Sequence, residues 1–396
     1  MKQTFFILIF FLLSKTLNAQ LTCATPPYDV SPSVENQIND WILHHKNALQ
    51  TRTIVTIPVV VHIVYGLDSE NFTDAQVTEQ INILTRDFRR RNTDTSQTPS
   101  VWKPLGADIE IEFCLASRDT LGNFTTGITR TQTTVTSFPN DRNVKNTARG
   151  GKNNWNPRKY FNIWVCNLTP TLYGTGAYAK FLDTRPNEDG VVINYRNFGV
   201  KSAKIVGRTL VHETGHWLNL LHIFGDSIAT ICEGRTDFVE DTPTQKTNST
   251  GCPSFPKFDN CSQSGNGNMF MNYMDYCDEP CMNLFTLGQK ERMWAALNLF
   301  RPDILNSDGC LSVSTDDISL LPFTVSPNPI RTGFIQVETV EKNVDLIVSN
   351  MYGQIVFTKK NMGETELVDF SNLPSGVYFI ALKKRYKSGV KKVLRL

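Results

Sequence analysis

Residues 212–222 read His-Glu-Thr-Gly-His-Trp-Leu-Asn-Leu-Leu-His, and the spacing of the three histidines governs how the rest of the chain is read. On a helix, His212 and His216 stand four positions apart, which places both imidazoles on one face about 6 Å apart along the axis. Two rings so placed can share one zinc ion, and Glu213, one position after the first histidine, can reach a water at that ion. His222 can supply a third ligand only if the helix breaks between His216 and His222 through a residue that accepts positive φ. Asn219 stands there, and Asn is the residue other than Gly that best tolerates the left-handed region. Three histidines beside a glutamate leave one coordination position open to water, whereas a structural zinc is normally closed by four protein ligands.

Downstream, Asn272-Tyr273-Met274-Asp275-Tyr276 adds a second motif in the right order. Together the two resemble the metzincin metalloproteases, whose HExxHxxGxxH motif has Gly where this chain has Asn219. In those enzymes a Met-turn forms an apolar floor beneath the histidines, which implies that role for Met274. The resemblance implies that Tyr276, two positions later, approaches the zinc and donates to a tetrahedral oxyanion. The region from Ile54 to Phe300 resembles one metzincin family in particular, the pappalysins. The likeness rests on HETGHWLNLLHIFGD, Asp237-Phe238-Val239-Glu240-Asp241-Thr242-Pro243, Gly251-Cys252-Pro253, NYMDY with Cys281-Met282, and Gly288-Gln289-Lys290-Glu291-Arg292-Met293. It implies a zincin-like α+β catalytic domain with Glu213 as catalytic acid and base. It also implies Cys232–Cys261 and Cys252–Cys281 disulfides and a structural calcium near Asp237 and Thr242. Asp278 and Glu279 read either as one wall of the pocket beyond the scissile bond, favouring Arg or Lys, or as solvated turn residues.

The surrounding pattern supports an α+β unit. Ile54–Tyr65 is a β-branched run that reads as a buried strand, with Pro58 hinting at an edge or bulge. Thr73 and Gln76 form a capping box ahead of Val77, Ile81, Leu84 and Phe88 at helical spacing. Strands are expected at Ile109–Leu115, Tyr160–Val165 and Val191–Tyr195, an edge strand at Gly176–Phe181, and a long helix from about Ser202. The edge strand could hold an extended substrate by antiparallel main-chain pairing. A last helix follows the cap Thr286/Gln289 and stops before Pro302. His62, on the β-branched run, reads as a core or edge residue rather than a ligand, and His44 and His45 as surface residues. From Leu321 onward, short strands alternate with turns such as Ser326-Pro327-Asn328-Pro329, the texture of a small all-β sandwich. That segment resembles the sorting domains of the type nine secretion system through FTVSPNP, MYGQIVF, LPSGVYFI and the basic end Lys383 to Arg395, which implies export through that machinery.

Lys2, the apolar run Phe5–Leu13 and Leu17-Asn18-Ala19 give residues 1–19 the form of a removed signal peptide. Residues 20–52 read as a pro-segment ending near Arg52, 53–306 as the catalytic domain, 307–320 as a linker and 321–396 as the sorting domain. With 396 residues and a formal net charge of +2, nothing calls for nucleic acid as a partner. Export implies an oxidising compartment for the nine cysteines, and the odd count leaves at least one without an intramolecular partner. Cys23, isolated near the expected mature start, reads as a thiolate that fills the fourth zinc position in a latent form. A disulfide from Cys23 to Cys277 or Cys310 is the open alternative. The reading as a whole is a secreted zinc-dependent endopeptidase made as a zymogen and acting on polypeptides. Its rival is a secreted binding or adhesion protein with a structural zinc.

Overall fold

The run from Val55 to Tyr65 forms β1, buried along almost its whole length because both of its faces are covered. The computed structural model describes residues 23, 25, 32–45, 54–139, 141–169, 176–178, 189–225, 232, 237–263, 265–311, 319–331, 333–384 and 387–396. The expected signal peptide, the activation region near Arg52, and residues 312–318 of the linker lie outside them. Among the described residues, β1 is the centre of a six-stranded sheet. β2 (Ile111–Leu115) and β3 (Ile128–Gln132) pair in succession along one side of it, and β4 (Phe161–Cys166) pairs along the other. β5 (Gly176–Tyr178) is the rim, antiparallel to β6 (Gly190–Asn194), which is itself parallel to β4. Ile57, Val59, Val61 and Ile63 enter the main core, while Val60 and Val64 pack on the opposite face beneath loops.

Pro58 marks neither an edge nor a bulge. It precedes by one residue the point where β4 joins, at Val59↔Phe161, so its missing N–H interrupts no bond of that ladder. α2 (Asp74–Phe88) is capped by Thr73, whose hydroxyl accepts from Gln76 N at 3.3 Å while Gln76 Oε1 accepts from Thr73 N at 2.9 Å. The expected long helix from Ser202 is shorter than its pattern suggested. Val200–Ser202 (β7) and Ile205–Val206 (β8) form an antiparallel pair, Gly207 follows at φ +86°, and α3 covers only Arg208–Trp217. The left-handed glycine ends the strand pair and lets the helix start in a new direction.

α4 (Leu287–Phe300) starts from the Thr286/Gln289 capping box. The Gln289 side chain also exchanges two hydrogen bonds with that of Asn272, at 2.9 and 3.1 Å, fastening α4 to the turn that carries Met274. The N-terminal helix α1 (Pro32–His45) begins and ends earlier than the amphipathic stretch near Trp41 suggested. It packs Ile38 and Trp41 into the main core against α4. A disulfide between Cys114 and Cys310, 196 residues apart, ties β2 to the segment after α4.

The chain divides into two compact units, Met1–Leu311 and Ser312–Leu396. The second holds β10 (Phe323–Ser326), β11 (Phe334–Thr339) and β14 (Thr365–Asp369) in one antiparallel sheet. Its other sheet has the order β13 (Ile355–Met362), β12 (Val344–Asn350), β15 (Gly376–Lys384), β16 (Lys387–Arg395), with β9 (Ser319–Leu320) parallel at its end. Ile335, Val337, Leu346, Val348, Ile380 and Leu382 alternate inward and share one apolar core. Among the described residues no helix is long and apolar enough to cross a membrane.

Candidate metal centre and catalytic site

α3 carries His212, Glu213 and His216 one turn apart, all buried, because its faces are wrapped by the sheet, α2 and the Met274 turn. Its N-terminus is held by charge. Glu279 Oε2 accepts from the N–H groups of Val206 and Arg208 at 2.6 and 3.1 Å, and Oε1 accepts from Thr209 N at 2.9 Å. A carboxylate there satisfies orphan donors and complements the helix dipole. Glu279 is therefore neither pocket wall nor solvated turn residue, and only Asp278 of that acidic pair stands partly exposed, 3.8 Å from Lys204 Nζ. Arg208, at the helix start, reaches Asp87 at 2.9 Å and Asp94 at 2.6 and 2.9 Å, pinning α3 to the end of α2. Sequence reasoning missed Arg208 and gave Glu279 a different role, since charges whose partners are distant in sequence ordinarily read as surface.

His212 Nδ1 lies 2.6 Å from the carbonyl oxygen of Tyr273, and His216 Nδ1 lies 2.8 Å from that of Leu220. A carbonyl only accepts, so each Nδ1 carries the proton and each Nε2 presents a lone pair. Those two Nε2 atoms are 3.1 Å apart, and His216 Nε2 is also 3.1 Å from His222 Nε2. Lone pairs this close repel unless a cation sits among them. Burial pushes the His212 and His222 imidazoles down to about 3, so both stay in the neutral form that a metal requires. Cys23 Sγ completes a group of four donor atoms lying within 4.8 Å of one another. Three imidazoles and a sulfur are a donor set that fits zinc.

The chain reaches His222 by ending α3 at Trp217, whose ring stacks on Phe161 at 4.0 Å, and turning through Asn219 at φ +71°. Met274 is fully buried beneath the helix, and a Cβ on Gly215 would meet its Sδ at 2.5 Å, which explains the glycine inside the motif. The Tyr276 ring stands 4.8 Å from that of His222 and 5.7 Å from that of His212, and Phe224 stacks on His222 at 4.8 Å while meeting Tyr276 edge-on at 5.1 Å. Glu213 Oε2 lies 3.6 Å from Cys23 Sγ and 3.4 Å from Thr25 Oγ1. Burial and then the Glu213 charge push the Cys23 thiol well above its ordinary value.

The structure contains Cys232–Cys261 and Cys252–Cys281 disulfides. Cys310 bonds to Cys114, and Cys23 and Cys277 keep free thiols, so neither disulfide considered for Cys23 forms. Asp237 is buried, and its carboxylate accepts from Val239 N and from the Thr242 hydroxyl at 2.9 Å. His62 is a core residue, held between Thr129 Oγ1 at 2.8 Å and Asn162 Oδ1 at 3.0 Å.

Residues 145–298 match the family described as pregnancy-associated plasma protein-A, a peptidase family, and residues 324–395 match the secretion system C-terminal sorting domain. The chain is 30% identical over 271 residues to an extracellular metalloprotease of Verticillium alfalfae, an alignment covering 64% of this chain and 79% of that one. The chain belongs to this peptidase family. The peptidase is also 26% identical over 290 residues to an extracellular metalloprotease of Arthroderma gypseum, covering 71% of this chain and 85% of that one. Among solved structures it is similar to Tannerella forsythia mature mirolysin in complex with a cleaved peptide. Identity there is 48% and the TM-score 0.61, over 64% of this chain and 97% of that one. A Tannerella forsythia promirolysin mutant gives 46% and 0.63, over 70% of this chain and 93% of that one. The peptidase is thus an extracellular metallo-endopeptidase made as a zymogen, with a zincin-like catalytic domain followed by an all-β sorting domain. A binding protein with a structural zinc is not favoured.

Proposed function

We propose that the peptidase hydrolyses internal bonds of polypeptides with one zinc ion held by His212, His216 and His222, Glu213 serving as general base and then general acid. The observation that carries this reading is the convergence of two Nε2 lone pairs, their Nδ1 protons fixed on backbone carbonyls, beside a buried glutamate. When bound, zinc supplies Lewis acidity toward the scissile carbonyl and toward a water. Glu213 takes a proton from the attacking water and delivers it to the leaving amine. Tyr276, beside His212 and His222, donates to the oxyanion, and Met274 keeps the histidines from sinking into the core. The rim strand β5 orients an extended substrate by main-chain pairing. Asp278 lines the pocket beyond the scissile bond and favours Arg or Lys there.

In the latent chain, residues 20–52 form the pro-segment and the Cys23 sulfur occupies the fourth ligand position until cleavage near Arg52 removes it. Its position within reach of all three histidines supports this. Residues 321–396 engage the export machinery, after a linker that is shorter than the expected 307–320, since Cys310 is bonded to Cys114 and Ser319–Leu320 form β9. A calcium near Asp237 and Thr242 would be held by the buried Asp237 carboxylate, whose oxygens lie 2.9 Å from the Thr242 hydroxyl.

The test is cleavage of an unfolded protein by the activated enzyme, wild type beside Glu213→Ala, with zinc content measured in both. The reading expects a loss of about 10²–10⁴-fold with zinc retained. Equal, low activity in both chains with one tightly held zinc would contradict it.

A further inference from the structure

The turn that delivers His222 is gripped by a side chain that the catalytic reading does not use. Asn219 sits at φ +71°, in a region unfavourable for a residue with a side chain. Arg292 on α4, 1% exposed, donates from Nε to Asn219 O at 2.7 Å, and its Nη2 lies 3.4 Å from Asn219 Oδ1. The same guanidinium donates to Glu35 Oε2 and Oε1 at 2.7 and 2.6 Å, a two-point pair in which both partners are buried. The Phe238 ring closes over it, 5.4 Å from Cζ. Glu35 belongs to α1, the helix that also places Ile38 and Trp41 in the core. One guanidinium therefore joins the N-terminal helix to the backbone at the helix break, three residues before a candidate ligand.

We propose that Arg292 is a positioning residue for His222, fixing the left-handed Asn219 turn, and that Glu35 completes its grip in the latent chain. The N-terminal segment then braces the metal loop at a second point, remote from Cys23. Arginine suits this task and lysine does not. Only a planar fork can give Nε to a carbonyl and two further N–H groups to a carboxylate at once. Asn219 matches it, offering a carbonyl and an amide oxygen from one residue, where glycine would offer only the carbonyl. When α1 leaves, Arg292 loses Glu35 but keeps the Asn219 carbonyl, so the turn persists with a weaker hold.

This inference rests on the metal-site reading, and its test separates the two. Full-length chain loaded with zinc is mixed with excess chelator, and the rate of zinc release is followed for wild type, Arg292→Lys, Glu35→Gln and the double variant. Arg292→Lys is expected to release zinc about tenfold faster or more, the usual scale for an outer-shell ligand support. Glu35→Gln should fall between it and wild type, and the double variant should match Arg292→Lys. After activation, Arg292→Lys should lower kcat and leave KM within about twofold, a split that loss of packing alone does not produce. Zinc release at the wild-type rate from both single variants, with only the unfolding midpoint of the metal-free chain lowered, would overturn the proposal. Failure of the wild type to hold zinc at all would overturn the metal-site reading instead, and this inference with it.

Discussion

The two units of the peptidase bury different kinds of side chain. Among the described residues, the buried polar and charged side chains all belong to residues 35–301, Thr339 excepted. The C-terminal unit is held by Ile335, Val337, Leu346, Val348, Ile380 and Leu382, with pairs such as Lys359–Glu366 at its surface. Burying a charge is unfavourable without a partner in good geometry, and apolar packing alone suffices to hold a sandwich together. The catalytic unit accepts that burden where helix ends and turns must be placed accurately. Arg208 sets the start of α3, Glu279 caps it, and Arg292 grips the turn after it. Precision in the first unit is electrostatic, and cohesion in the second is apolar.

The largest expected effect follows from removing one partner of the buried network. Arg208→Met removes the buried cation shared by Asp87 and Asp94, leaving Asp87 only the partly exposed Arg86 at 2.8 Å, and should lower unfolding stability by about 3 kcal/mol, read by denaturant titration of the full chain. A loss below about 1 kcal/mol would show that the network contributes no more than a surface pair, and the contrast between units would fall.

The pH response should also be confined to the catalytic unit. Burial pushes His62 down to about 4 in the folded chain, against an ordinary value near 6.5. Its folded pKa is depressed, so the unfolded chain takes up the proton first as pH falls. Stability is intact above about 6.5 and is lost progressively toward 4. Between pH 7.5 and pH 5 the wild type should lose roughly 2 kcal/mol more than His62→Phe. Equal slopes in the two chains would refute this assignment. The smallest effect belongs to the sorting unit, where Lys359→Ala should change stability by less than about 1 kcal/mol, and a larger loss would blur the distinction.

How much the sequence revealed divides along similar lines. Ligand chemistry sets the spacing of His212, His216 and His222, and capping chemistry sets Thr73 with Gln76 and Thr286 with Gln289, so these can be read locally. The start of α3 could not, because the pattern from Ser202 onward conceals a short strand pair and the left-handed Gly207. β3 was missed because Ile128–Gln132 is only partly buried and joins the sheet through β1 alone. Arg208, Glu279 and Arg292 resemble surface charges until partners distant in sequence arrive, such as Glu35, 257 residues from Arg292. Cys114–Cys310 bridges 196 residues, a pairing that composition cannot disclose.

The central claim is that Cys23 and the three histidines surround one metal in the latent chain and that Cys23 departs on activation. Cobalt(II) in place of zinc makes this visible, since a thiolate ligand adds a charge-transfer band in the near ultraviolet. The account predicts that band in the full-length latent chain and its loss both in Cys23→Ser and in the activated enzyme, while the visible cobalt bands of the histidine site remain. A latent chain without the band, or a band that survives Cys23→Ser, would contradict it.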